Sequence, residues 1–178
     1  MPNDCTNDLI IRGTHEDLEI FAKNHIKLDT RGIPHFDFNT IIPEPNTPNE
    51  CDSKYVMAEG ETRHLELTKG REWFDWYSWH VDHWNTKWNA YDCCISENYN
   101  KLIITYFTAW SPSIPIIKKL IEMYPNLVFC YDYYECGCML GGTIIGRDGR
   151  VDVEYECEPH ELKDFAIERG FESEEDFE

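Results

Sequence analysis

YDCCISENYNKLIITYFTAWSP, residues 91–112, decides the fold. Two apolar runs, Tyr91–Ser96 and Leu102–Thr108, flank the turn-prone Glu97-Asn98-Tyr99-Asn100-Lys101, so the stretch reads as a β-hairpin. Ser111-Pro112 follows at once, a capping serine and a proline suited to the first helical position. Ile116, Ile117, Leu120, Ile121 and Tyr124 then recur at helical spacing until Pro125 ends the helix, and Leu127–Tyr134 reads as the next strand.

Working back toward the start, Leu9-Ile10-Ile11 is a short strand that stops at Gly13. Thr14 caps a helix, with Asp17 in the place of a capping-box acid and Leu18, Phe21, Ala22 and Ile26 on one side. Residues 27–72 form a loop-rich insertion, with Pro34, Pro43, Pro45 and Pro48 punctuating its first half. Trp73–Trp88 holds five of the six tryptophans, and Trp73, Trp76, Tyr77, His80 and Trp84 fall on one helical face, which predicts a helix packed on the sheet. Strand, helix, insertion, hairpin, helix, strand is a split β-α-β order. It predicts an α+β fold, a ferredoxin-like antiparallel sheet with helices on one face.

Working forward, Met139–Ile145 and Val151–Cys157 make a second hairpin around Gly146-Arg147-Asp148-Gly149. Val151, Val153, Tyr155 and Cys157 alternate with acids, which predicts one buried and one wet face. Gly141-Gly142, inside the first of these strands, marks a bulge or a close backbone approach. Pro159 opens a last helix through Leu162, Phe165 and Ala166 that Gly170 closes. The chain thus reads as one domain over residues 1–170, with an added C-terminal hairpin and helix, and an acidic tail at 171–178.

Charge narrows the function. Thirty-four acidic side chains against 16 basic ones give a formal net charge of -18, a surface that repels phosphate backbones and makes direct nucleic-acid binding unexpected. Asp152–Glu178 alone holds 12 acids and 2 bases. This end reads either as a solvated surface or as a face that docks on a basic protein. No run approaches the roughly 20 apolar residues of a membrane span. The polar opening Met1-Pro2-Asn3-Asp4 has no apolar run behind it, so the expected place is the cytoplasm. In a reducing compartment the eight cysteines are expected as free, mostly buried thiols.

Met1-Pro2-Asn3-Asp4-Cys5-Thr6-Asn7-Asp8-Leu9, then Asn85-Thr86-Lys87-Trp88-Asn89-Ala90-Tyr91-Asp92, then Phe107-Thr108-Ala109-Trp110-Ser111-Pro112 resemble, in this order, a family of phage and plasmid proteins of uncharacterised function. This is the YubB-like group with a ferredoxin-like domain. Phe38-Asn39-Thr40-Ile41-Ile42-Pro43 is similar to it as well. The likeness spreads over most of residues 1–135, does not extend past 139, and departs at Asp4, where the family carries tryptophan. The resemblance implies the fold, no iron–sulfur cluster, and a mobile-element setting that suits a host-directed or anti-defence role.

Three constellations are candidates for chemistry. Asn85, Lys87, Trp88 and Asp92 at one junction, with Trp110 and Ser111 at another, combine aromatic walls with polar groups and a helix start able to hold an anion. The alternative is that they cap, turn and pack, with Lys87 paired to an acid. His80 with His83, and Cys136 with Cys138, are weak metal candidates: Cys-x-Cys is one residue short of the usual zinc spacing, and adjacent Cys93 and Cys94 face opposite sides of a strand. No Gly-x-Ser-x-Gly, phosphate loop or His-Glu-x-x-His motif is present. The leading reading is a non-catalytic protein-binding module, with no cofactor, whose partner is a host protein with a basic surface. A small-molecule or nucleotide-binding protein or enzyme using the two junctions is the alternative, and a metal-stabilised structural protein is a third.

Overall fold

A computed structural model describes residues 3–45, 56–57 and 73–177. In chain order its elements are β1 (Asp4–Arg12), α1 (His15–His25), β2 (Ile26–Leu28), β3 (Pro34–Phe36), β4 (Val56–Met57), β5 (Trp73–Phe74), α2 (Trp76–Trp84), β6 (Tyr91–Asn98), β7 (Lys101–Ala109), α3 (Ile114–Met123), β8 (Val128–Glu135), β9 (Leu140–Arg147), β10 (Arg150–Glu156) and α4 (Leu162–Arg169). Six strands form one sheet in the order β10-β9-β8-β1-β7-β6, and every adjacent pair is antiparallel. Its inner part, β8-β1-β7-β6, is the ferredoxin-like arrangement, and β9 and β10 extend it past β8. Among the described residues no helix is long and apolar enough to cross a membrane.

The central strand β1 is nine residues long, not the apolar triplet that the sequence pattern marks. Its inward positions are Cys5, Asn7, Leu9 and Ile11, all fully buried. The alternation is masked in the sequence because one of the four is polar. β1 pairs with β7 from Asp4↔Ala109 to Arg12↔Lys101, and with β8 from Thr6↔Tyr134 to Arg12↔Val128. Residues paired across a ladder point to the same side. Leu102, Ile104 and Tyr106 of β7 and Phe129, Tyr131 and Tyr133 of β8 therefore join the inward face, all of them buried.

The helices of the ferredoxin-like unit cover that face. Thr14 caps α1 by accepting from the Asp17 N–H, as expected, and Leu18 and Phe21 are buried against the sheet. Ile116, Ile117, Leu120 and Ile121 of α3 form the matching apolar side. Gly146 lets α3 approach β9 closely, since a Cβ there would lie 2.3 Å from Ile121 Cδ1. Gly142 is a second close approach: its Cβ would meet the Tyr155 carbonyl oxygen at 2.5 Å. The Gly141-Gly142 pair is thus explained by proximity.

The insertion adds more than loop. β2 and β3 pair through Ile26↔Phe36, Lys27↔His35 and Leu28↔Pro34, and a 3-10 turn follows at Phe38–Thr40. Phe36 and Phe38 are both fully buried, edge-on to Tyr106 at ring separations of 5.4 and 5.9 Å. Residues 46–55 and 58–72 of the insertion lie outside the described residues. α2 is shorter than the tryptophan spacing suggests. Trp73 sits in β5, and Trp79, His80 and Trp84 are the buried residues of the helix, while Trp76 is 39% exposed. His80 and Trp84, four residues apart on the expected stripe, are buried, and Trp79, one position off that stripe, is buried beside them.

α4 packs on the opposite face. A Cβ on Gly141 would meet Leu162 and Phe165, and Tyr134, Cys157, Leu162, Phe165 and Ala166 form a second, smaller interior with Phe171. Residues 171–177 are accordingly no free tail: Phe171 stacks on Tyr134 at 5.7 Å, and the Ser173 N–H and hydroxyl both donate to the Asp176 carboxylate across the start of a 3-10 turn over Glu174–Phe177. In the last hairpin Asp148 and Gly149 both take positive φ, as a tight two-residue turn requires. β10 departs from its expected alternation, because a bulge between Val151 and Val153 shifts its register. Val153 and Tyr155 end up 43% and 40% exposed.

His25 ties three elements together. Its Nδ1 lies 2.7 Å from Thr40 Oγ1 and its Nε2 2.7 Å from the Tyr124 hydroxyl. Thr40 donates its own proton to the Asp37 carbonyl, so it accepts from Nδ1–H and Nε2 accepts from Tyr124. The neutral ring fits this chain of donors. Burial, helped by Lys27, lowers the His25 pKa from 6.5 to about 4. Because the unfolded chain takes up a proton that the folded one refuses, stability is full above pH 6.5 and falls as pH drops toward 4. Urea unfolding should show a loss of about 2 kcal/mol between pH 7 and 5, and His25→Gln should flatten that slope. A stability that is level or rising over this range contradicts the assignment.

Candidate functional site

The two junctions singled out in the sequence do meet. α2 ends on Asn85, a left-handed cap at φ 62° whose N–H donates to the Val81 carbonyl. β7 ends at Ala109, and Trp110, also left-handed at φ 67°, turns the chain toward α3 while its N–H donates to the Asn3 carbonyl at 2.9 Å. Side chains then lock one turn to the other. Asn85 Nδ2 donates to the Pro112 carbonyl at 2.8 Å, and the Ser111 hydroxyl donates to the Asn85 carbonyl at 2.6 Å. Thr86 Oγ1 donates to the Ala109 carbonyl at 3.2 Å and accepts from the Ala109 N–H at 3.1 Å. Asn85 and Ser111 are thereby spent on holding the chain.

Ser111 does not cap α3. The cap position is Ser113, and Pro115 rather than Pro112 occupies the first turn. Ser113 is fully buried: its N–H donates to the Tyr131 hydroxyl at 3.2 Å, and its own hydroxyl shares a 2.7 Å hydrogen bond with Tyr106. The helix start expected to hold an anion is therefore covered by the protein's own phenols. Burial raises the pKa of both Tyr106 and Tyr131 well above the phenol value.

Lys87 is the unexpected member. Its ammonium lies 4.6 Å from the Trp88 ring centre, 5.5 Å from that of Trp110 and 5.9 Å from that of Tyr77. Among the described residues no carboxylate lies within ion-pair distance of it, so the anticipated acid partner is replaced by aromatic faces. The rings continue outward from Trp88 to Tyr91 and on to Phe107 at centroid separations of 6.5 and 6.1 Å. Burial and the neighbouring Asp4 carboxylate, which accepts from the phenol, raise the Tyr91 pKa. Asp92 is exposed, at φ 47° on the bulge between Tyr91 and Cys94, apart from this seat.

The candidate metal ligands have separate employments. His80 Nδ1 faces the Lys87 carbonyl at 2.8 Å and its Nε2 faces Glu44 Oε1 at 2.7 Å, with the ring stacked on Trp84. His83 Nδ1 bonds to the Trp79 carbonyl and its ring stacks on Trp79. Cys136 and Cys138 are exposed in the turn after β8. The buried Glu135 holds that turn by accepting from the Gly137 and Cys138 N–H groups, and its bond to the Cys138 thiol raises that pKa. Cys93 is half-buried, with its pKa raised by burial, while Cys94 is exposed on the other side of β6. Among the described residues no three or more His, Cys, Asp or Glu side chains are grouped to hold a metal ion.

Residues 83–177, more than half of the chain, match the family described as "Ferredoxin-like domain in Api92-like protein". The chain belongs to this family. The match starts within α2 and runs through β9, β10 and α4, so the C-terminal hairpin and helix lie inside it, beyond the reach of the YubB-like resemblance. The crystal structure of a protein Api92 from Yersinia pseudotuberculosis superposes with a TM-score of 0.55 at 7% identity, over 89% of this chain and 99% of that one. That likeness shows the fold. No curated protein matches the chain.

Proposed function

We propose that this Api92-like chain is a non-catalytic protein-binding module of phage or plasmid origin that docks on a basic surface of a host protein and so modulates a host factor, a defence component being the fitting class. The observation that carries this reading is where the charge sits. β10 is an edge strand of the sheet, and along it, the following turn and α4, Glu154, Glu156, Glu158, Asp164 and Glu168 are all exposed. Nearby cations are already engaged: Arg147 pairs with Asp152 and Lys118 with Glu154, leaving the surplus of acids outward. Such a wall attracts a basic protein over roughly a Debye length, about 8 Å at physiological salt, and repels phosphate backbones. The phage or plasmid setting and the host cytoplasm rest on the YubB-like resemblance of the N-terminal and junction segments.

A second reading has one specific support, the Lys87 ammonium seated on Trp88, Trp110 and Tyr77 with no carboxylate in ion-pair distance among the described residues. A nucleotide or other small anion at the junctions is the ligand that would complete it. Titration with ATP should then quench tryptophan fluorescence saturably, and Lys87→Met should abolish the quench; a linear, unsaturated response in the parent chain ends this reading.

For the leading proposal, the immobilised chain should recover a stoichiometric partner from host lysate at low salt and release it at high salt. A variant carrying Glu154→Lys, Glu158→Lys and Glu168→Lys should recover none. No partner at low salt, or equal capture by the variant, overturns the proposal.

A further inference from the structure

The sheet face turned away from α1, α2 and α3 carries an apolar row that neither hydrophobic interior uses. Ile10 of β1 lies opposite Ile103 of β7 and Cys130 of β8; Cys130 lies opposite Ile145 of β9, and Ile145 opposite Val153 of β10. These five side chains therefore cross five strands in one line, about 19 Å long at about 4.8 Å per strand. The first four are half-buried and Val153 is exposed, and none belongs to either core cluster. Among the described residues α4 covers the neighbouring part of this face, with Leu162 and Phe165 over Gly141, Phe165 beside Tyr155 and Arg169 reaching Thr143. A stripe of this kind marks an interaction surface.

A second row runs beside it, two residues along each strand: Thr105, Asp8, Asp132, Thr143 and Tyr155. At its centre Asp8 and Asp132 are direct cross-strand partners. Like charges opposite one another destabilise a sheet. The two acids are compensated unequally. Asp8 accepts from the Thr105 hydroxyl at 2.6 Å and has no cation within ion-pair distance among the described residues. Asp132 accepts from the Thr143 hydroxyl, with the Arg169 guanidinium 3.6 Å away.

Charge decides what can lie here. A second copy of this chain would bring an equal acid pair and another -18 of net charge against the first. We infer that the open sheet face is the docking surface, and that its occupant is a basic protein segment laying apolar side chains along Ile10, Ile103, Cys130 and Ile145 and setting an arginine or lysine between Asp8 and Asp132. This rests on the protein-binding reading and names its surface. The occupant presents an apolar and a cationic group about 7 Å apart, the spacing of two residues along a strand.

Synthetic peptides test it against the intact chain by fluorescence anisotropy. A labelled Val-Arg peptide of repeat Val-Val-Arg-Arg, which sets valine and arginine alternately on one face of an extended chain, should bind saturably, a Ser-Arg peptide of repeat Ser-Ser-Arg-Arg more weakly, and a Val-Glu peptide of repeat Val-Val-Glu-Glu not at all. The double variant Asp8→Asn, Asp132→Asn should lose at least about tenfold in affinity for the Val-Arg peptide, while resisting urea at least as well as the parent because the like-charge pair is gone. Equal binding of Val-Arg and Ser-Arg peptides, or undiminished binding by the double variant, overturns the inference. If the lysate partner is nevertheless captured and lost with the β10–α4 charge reversals, the binding-module reading survives and only this surface is wrong.

Discussion

β1 is the strand on which the rest of the molecule is assembled, and Asn7 is the residue that fixes it there. The side chain is fully buried between two neighbouring strands. Its amide donates to the Cys5 carbonyl, to Thr108 Oγ1 and to the Tyr106 carbonyl at 2.7, 2.9 and 3.3 Å, and its oxygen accepts from the Tyr131 hydroxyl at 2.5 Å. Tyr131 in turn accepts from the Ser113 N–H, and Thr108 donates to the Ser111 carbonyl. A buried amide left unpaired costs about 1–3 kcal/mol, so this set holds only if β1, β7, β8 and the start of α3 are in register together. A slip of one residue would turn Asn7 outward and Asp8 inward.

Because β1 is locked in that phase, the sheet has two unlike sides. The inward side is closed by α1, α2, α3 and the β2–β3 hairpin of the insertion, with His25, Phe36 and Phe38 sealing its edge. Among the described residues the outward side receives α4 alone, over β8 and β9. It keeps a half-buried apolar row and a pair of facing acids. Asn85, Ser111 and Thr86 brace the end of the sheet where the rings of Trp88, Tyr91 and Phe107 begin. The side built for stability and the side available for recognition are thus separate, and the helix-covered core can be uniform without limiting what the other face carries.

Much of the fold is legible in the sequence because local pattern and tertiary need agree. The 91–108 hairpin, the Thr14 cap, the Gly170 stop and the turn at Asp148-Gly149 each follow from chemistry within a few residues. The misreadings have a common cause, a long-range partner that local spacing cannot see. Asn7 hides an inward position of β1 because its amide is paired with residues about a hundred positions away. Ser111 resembles a cap, yet its hydroxyl is claimed by Asn85, and the cap falls two residues later. Lys87 finds rings in place of an acid. Val153 and Tyr155 alternate like buried residues, but a bulge and the end of the sheet leave them outside. Of the candidate site, the meeting of the two junctions is readable from element order, and the filling of the helix start by two phenols is not. The open face is unreadable, since it is defined by which residues pair across five strands.

Two thiols on opposite sides of the sheet test this two-sidedness most directly. Cys5 points inward from β1, fully buried, with its pKa pushed up to about 12 by burial. Cys130 of β8 lies outward in the row with Ile10. Alkylation of the native chain by iodoacetamide, followed residue by residue by mass spectrometry, should modify Cys130 on the timescale of the exposed Cys94 while Cys5 reacts only as the chain unfolds. Protection of Cys130 equal to that of Cys5 would show that the outward face is closed, and would contradict a sheet with one sealed side and one open to a partner.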